Sequence, residues 1–114
     1  MDFPDLKMII AHLGHPWEAD TVVLIRKCPN VYTDLSAVHY RPWRNWQAMI
    51  TALEYGVAHK LLLGSDFPSG TIANVINSLR NVNKPVEGTG LPRVPKDKDM
   101  IIDEKWKAFF PQWA

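Results

Sequence analysis

Lys7-Met8-Ile9-Ile10-Ala11-His12-Leu13-Gly14-His15-Pro16-Trp17 is the stretch that decides the fold. It opens with a short apolar run, of the kind that forms a strand covered on both faces. The run breaks at His12, and Gly14 and Pro16 punctuate the loop that follows. Glu18 to Lys27 then reads as a helix, with Glu18 in its first turn and Arg26 and Lys27 in its last, matching the helix dipole. Cys28-Pro29-Asn30 stops it. Strand, polar loop and helix make one unit.

The unit recurs twice. Val31-Tyr32-Thr33-Asp34-Leu35 is rich in β-branched and aromatic residues and ends at the polar Ser36. A loop to Tyr40 leads to Pro42 near the start of a second helix, where Trp43, Trp46, Ile50 and Leu53 share one face and Gly56 marks the end. Lys60-Leu61-Leu62-Leu63 predicts a third strand, followed by Gly64-Ser65-Asp66-Phe67-Pro68. Ser69 or Thr71 caps a third helix reaching about Asn81, with Ile72, Val75, Ile76 and Leu79 as its apolar face. Alternating strand and helix predicts an α/β fold with a parallel sheet and right-handed crossovers. Residues 83–99 hold three prolines and two glycines and read as an irregular connector, and residues 103–110 as a terminal helix, all within a single domain.

Composition narrows the functional classes. The 114 residues carry 13 Lys and Arg against 12 Asp and Glu, a net charge of +1. That balance gives no basic excess to attract nucleic acid, and no basic amphipathic stretch suits a membrane surface. Apolar runs such as Leu61-Leu62-Leu63 are far too short to span a bilayer. The start, Met1-Asp2-Phe3-Pro4-Asp5, lacks the features of a secretory leader. Cys28 is the single cysteine, so no internal disulfide framework exists and a cytoplasmic location is expected.

In parallel α/β proteins chemistry gathers at the carboxyl ends of strands. The residues to question are therefore His12 and His15 after the first strand, Asp34 and Ser36 at the second, and Ser65 and Asp66 after the third. A His and an Asp on neighbouring loops provide a metal ligand, a general base or a general acid. Spacing alone carries little weight, since such residues more often cap helices or face solvent.

Three blocks add weight. Ile9 to Trp17, Asn30 to Ser36 and Leu62 to Pro68 together resemble the last three βα units of the amidohydrolase-related family, the metal-dependent hydrolases and decarboxylases that include aminocarboxymuconate semialdehyde decarboxylases. The match runs from about Phe3 to Asn81, and Gly64-Ser65-Asp66-Phe67-Pro68 is its most specific part. The resemblance implies the C-terminal part of a TIM barrel, incomplete here because a closed eight-fold barrel takes about 250 residues. It implies that His12 handles protons or orients substrate and water. It implies that Asp66 binds a divalent metal, usually zinc, and helps to activate the metal's water. His15, Trp17 and Ser65 are pocket candidates. The family centre also uses a His-x-His pair and a further histidine from earlier strands. No His-x-His occurs in this sequence, no histidine precedes His12, and His39 and His59 match no family ligand.

A small sheet cut from a barrel has open edges and an inner face without partners. Self-association is the simplest remedy, so a homo-oligomer is expected. The sequence thus reads as part of a hydrolase or decarboxylase acting on a small carboxylated or cyclic substrate through a metal-activated water. The alternative is a non-catalytic oligomeric relic or fragment of such an enzyme.

Overall fold

The computed structural model describes residues 2–95 and 110. Its order is β1 (Met8–Ile10), α1 (Glu18–Lys27), β2 (Val31–Asp34), α2 (Pro42–Glu54), β3 (Leu61–Leu62) and α3 (Ile72–Arg80), with 3₁₀ turns at Ala11–Gly14, Val38–Tyr40, Ala58–Lys60 and Lys84–Val86. The strands lie side by side in chain order and are all parallel. Met8 pairs with Val31 and Ile10 with Thr33, and Thr33 and Asp34 pair with Leu61 and Leu62. This is the predicted α/β arrangement of three parallel strands with flanking helices, compatible with part of a TIM barrel. Among the described residues no helix is long and apolar enough to cross a membrane.

Helix boundaries follow local chemistry. Glu18 and Asp20 open α1 and Arg26 and Lys27 close it, so charge complements both ends. Pro42 begins α2, where a missing N–H costs nothing. Thr71 caps α3 by accepting from the Asn74 N–H, while the Asn74 side chain accepts from the Thr71 N–H.

The strands are shorter than their apolar runs. Ala11 turns into 3₁₀ geometry instead of extending β1, and Lys60 closes the turn before β3. The buried stripe of α2 is wider than the predicted one: Trp46 is buried and Ile50 and Leu53 pack against the core as expected, Ala48, Met49 and Ala52 are buried beside them, and Trp43 is half exposed. On α3, Val75 and Leu79 are buried but Ile72 faces outward. Small Ala48 and Ala52 admit the close packing that widens the stripe of α2.

The core joins Leu13, Val22 and Ile25 to Leu35, Met49 and Leu61, and continues to Val75, Val82 and Val86. Thr33 is fully buried in the middle strand and donates through Oγ1 to the Ile10 carbonyl at 2.7 Å. Within the described part of the connector, Asn83 holds both backbone groups of Val94 at 2.7 and 2.8 Å, so residues 83–94 are pinned although the 3₁₀ turn at Lys84–Val86 is the single regular element there. The predicted terminal helix lies outside the described residues, apart from Phe110.

Candidate functional site

The three strands end on one face, and each delivers a polar group there. After β1 the backbone turns at once into the left-handed region, at φ 57° for His12 and 53° for Leu13. That conformation is costly for residues with a Cβ. Here the turn is tied down, since the His12 N–H donates to Asp34 Oδ1 at 3.1 Å and Leu13 is fully buried. Gly14 continues the left-handed path at φ 67°, and a Cβ on it would lie 1.8 Å from Thr21 Oγ1. The turn swings the His12 ring over the end of β2. There Nδ1 lies 2.7 Å from Ser36 Oγ and 3.1 Å from the Ser36 carbonyl. Ser36 in turn donates to Asp34 Oδ1 through its N–H, at 2.9 Å, and through its hydroxyl.

Asp66 comes from the loop after β3 and is also left-handed, at φ 58°. Its Oδ1 faces His12 Nε2 at 4.0 Å, and its Oδ2 accepts from the Tyr40 hydroxyl at 3.2 Å. His12 is about two-fifths exposed and Asp66 about a third, so the gap between them opens to solvent. Desolvation, followed by the charge and hydrogen bond of Asp66, pushes the Tyr40 phenol upward, so it stays a donor at neutral pH. A separation of 4.0 Å is too long for a direct hydrogen bond. One polar atom of a water or substrate placed between the two groups would bridge them.

The pocket candidates lie elsewhere around this face. His15 Nδ1 donates to Glu18 Oε1 at 2.5 Å, and Arg44 reaches Glu18 Oε2 at 3.1 Å. Burial pushes the Glu18 carboxyl up, but hydrogen bonds from His15, its own backbone and Arg44 outweigh this, and the net displacement is downward. His15 is thus held in an ion-pair network apart from the His12–Asp66 gap. Trp17 is two-thirds exposed and, with Glu18, Arg44 and Gln47, walls a separate cavity of about 350 Å³. Ser65 Oγ accepts from the Phe67 N–H at 3.2 Å and shapes the Asp66 loop.

Two residues gain importance that the sequence did not reveal. Tyr40 binds Asp66 from an irregular loop, where no periodicity marks it. His39, next to it, has both ring nitrogens buried and without a hydrogen-bond partner among the described residues. Burial depresses its basicity, while Asp66 acts in the opposite direction. Gly70 closes over this ring: a Cβ there would come within 2.8 Å of His39 Nε2 and 2.5 Å of the Ser65 carbonyl. A cavity of about 570 Å³ between α2 and α3 is lined by His39, Tyr40, Asn45 and Asn77. Neither His12 nor Asp66 lines it, so the site is placed by the facing acid–base pair and not by cavity size.

The model of the amidohydrolase family matches residues 1–71. The chain belongs to the amidohydrolase family. The matched span contains His12, Asp34, Ser36 and Asp66, and it ends at Thr71, the cap of α3. No curated protein and no solved structure matches the chain.

Amidohydrolases generally use divalent metals, so the donor set has to be weighed against one. His12 Nε2 and Asp66 provide two donors facing one another. A catalytic zinc normally takes three protein ligands. Among the described residues no group of three or more His, Cys, Asp and Glu comes together to hold a metal ion. These residues alone do not complete such a centre.

Proposed function

We propose that this amidohydrolase chain supplies the C-terminal sector of a TIM-barrel active site, in a hydrolase or carboxy-lyase acting on a small carboxylated or cyclic substrate. The observation that carries this reading is His12 Nε2 facing Asp66 Oδ1 across 4.0 Å at the strand ends. Asp66 is the acceptor that draws a proton from a bridging water. His12 carries protons and orients the substrate. The Tyr40 hydroxyl fixes the second oxygen of Asp66, leaving Oδ1 turned to the gap.

A divalent metal, zinc by preference, would take Asp66 as one ligand and needs further donors from outside the described residues. Once bound, such an ion lowers the pKa of its water to about 7. A homo-oligomer is the arrangement in which a second copy brings additional groups to this face. The exposed Phe3, Leu6, Met8 and Ile9 support self-association. The lone half-buried thiol of Cys28 supports a cytoplasmic setting.

The two-donor set favours a second reading, a non-catalytic oligomeric relic of such an enzyme. Metal analysis of protein purified without added metal separates the two. Zinc near one per chain, lost in Asp66→Ala, is the result expected of a competent site. Absence of metal, with no rise in melting temperature on adding zinc, would leave only the relic.

A further inference from the structure

We propose that Asp34 and Ser36 are positioning residues that lock the His12 imidazole in the Nδ1–H tautomer, so that Nε2 is the proton-accepting atom presented to Asp66. The inference rests on the reading of His12 as a reacting residue and adds two groups to it, neither of which touches the reacting atoms.

The assignment of hydrogens follows from which groups are able only to accept. The Ser36 carbonyl cannot donate, so at 3.1 Å from Nδ1 it requires a proton on that nitrogen. The Ser36 hydroxyl has one hydrogen, and that hydrogen is directed to Asp34 Oδ1. Its oxygen, 2.7 Å from Nδ1, is therefore left as a second acceptor for the same N–H. Nε2 then holds the lone pair in the neutral ring and looks toward Asp66. With the tautomer reversed, the Ser36 carbonyl would face a lone pair and the N–H would point into the gap.

Asp34 sets the chain of bonds from its far end. A single oxygen, Oδ1, receives the His12 N–H, the Ser36 N–H and the Ser36 hydroxyl. One carboxylate thus holds the left-handed backbone of His12 and aligns the hydroxyl that aligns the ring. Strained backbone that persists because its surroundings fix it is a mark of functional positions. Free imidazole in water favours a proton on Nε2, so the predicted form departs from the default and is readable by spectroscopy.

The test uses the full chain labelled with ¹⁵N, without metal or substrate. Long-range ¹H–¹⁵N correlation at about pH 8.5, where an ordinary imidazole is neutral, reports which nitrogen carries hydrogen. A His12→Gln variant identifies the His12 signals. The expected result is Nδ1 at the protonated position and Nε2 at the unprotonated one. In Ser36→Ala the ratio of Nδ1–H to Nε2–H forms is expected to fall roughly fivefold, the equivalent of one hydrogen bond of about 1 kcal/mol. The amide spectrum of the variant, checked for native dispersion, controls for folding. An Nε2–H tautomer in the unmodified chain overturns the proposal without any variant. A wild-type ratio in folded Ser36→Ala also overturns it. Since no metal or turnover enters the readout, these failures are distinct from failure of the metal test of Asp66.

Discussion

His39 shows how much one side chain contributes when its polar atoms are buried with no hydrogen-bond partner among the described residues. A buried polar group without a partner costs on the order of 1–3 kcal/mol. Replacing the ring by an apolar group of similar size removes that cost, so His39→Leu is expected to leave unfolding stability unchanged or raise it by about 1 kcal/mol in urea titrations near pH 7.5. The same burial sets a pH dependence. The folded pKa is depressed below the unfolded value, so the unfolded chain binds more protons in the window between them. Stability is therefore fully present above about pH 6.5 and falls as the pH drops through the depressed folded value. In His39→Leu this part of the slope disappears, and a slope that persists unchanged would remove His39 as its source. Gly14 works in the opposite sense. At φ 67°, with Thr21 Oγ1 where a Cβ would stand, Gly14→Ala is expected to cost about 2 kcal/mol or more in the same titration. The sequence made His12 and Asp66 legible because they sit in motif blocks at strand ends. It did not reveal Tyr40 or the burial of His39, since both depend on how an irregular loop folds over Asp66.

Among the elements, the joint between α1 and β2 hangs on a residue of the turn before β3. Lys60 is buried, and its ammonium donates to the carbonyls of Ile25 and Cys28 at 2.7 Å and of Val31 at 3.2 Å. It thus satisfies oxygens at the end of α1, where the helix dipole welcomes a cation, and ties them to the first residue of β2. Lys60→Met keeps the stem and loses the three hydrogen bonds. It is expected to lower unfolding stability by about 2 kcal/mol, read by chemical denaturation. Thr71→Ala removes the cap of α3 and is expected to cost about 1 kcal/mol. Strands, helices and their order were legible from apolar runs and their spacing, and the ends of α1 coincide with the charges that predicted them. In sequence Lys60 reads as the start of a strand, because nothing in its neighbours shows that its amine turns inward to meet carbonyls from residues 25 to 31. The small-residue edge of the α2 face is hidden for a related reason: Trp43 outweighs Ala48 and Ala52 in any hydrophobic pattern, yet the small residues allow contact.

At the scale of the whole molecule, the left-handed residues other than glycine among the described residues are His12, Leu13, Ala37 and Asp66, all in loops that follow strands. Conformational strain is gathered on the face that carries the polar groups, while the opposite ends of the strands are free of it. Phe3, Leu6, Met8 and Ile9 form one exposed apolar group around β1, while Trp17 and Phe67 stand exposed in the loops of the polar face. Sedimentation at micromolar concentration is expected to show association, and Ile9→Lys to shift the population toward monomer. A well-folded wild-type monomer would sink that expectation. The outer strands of the described sheet, β1 and β3, have three and two residues. Fibrils grow by templating segments of about six residues, each backbone group pairing with the next copy. Borders this short cannot sustain such a ladder, so any contact between folded copies would be made by side chains rather than by strand pairing. Cross-β growth is closed to this sheet while it stays folded, and incubation of the native chain with thioflavin T is expected to stay dark.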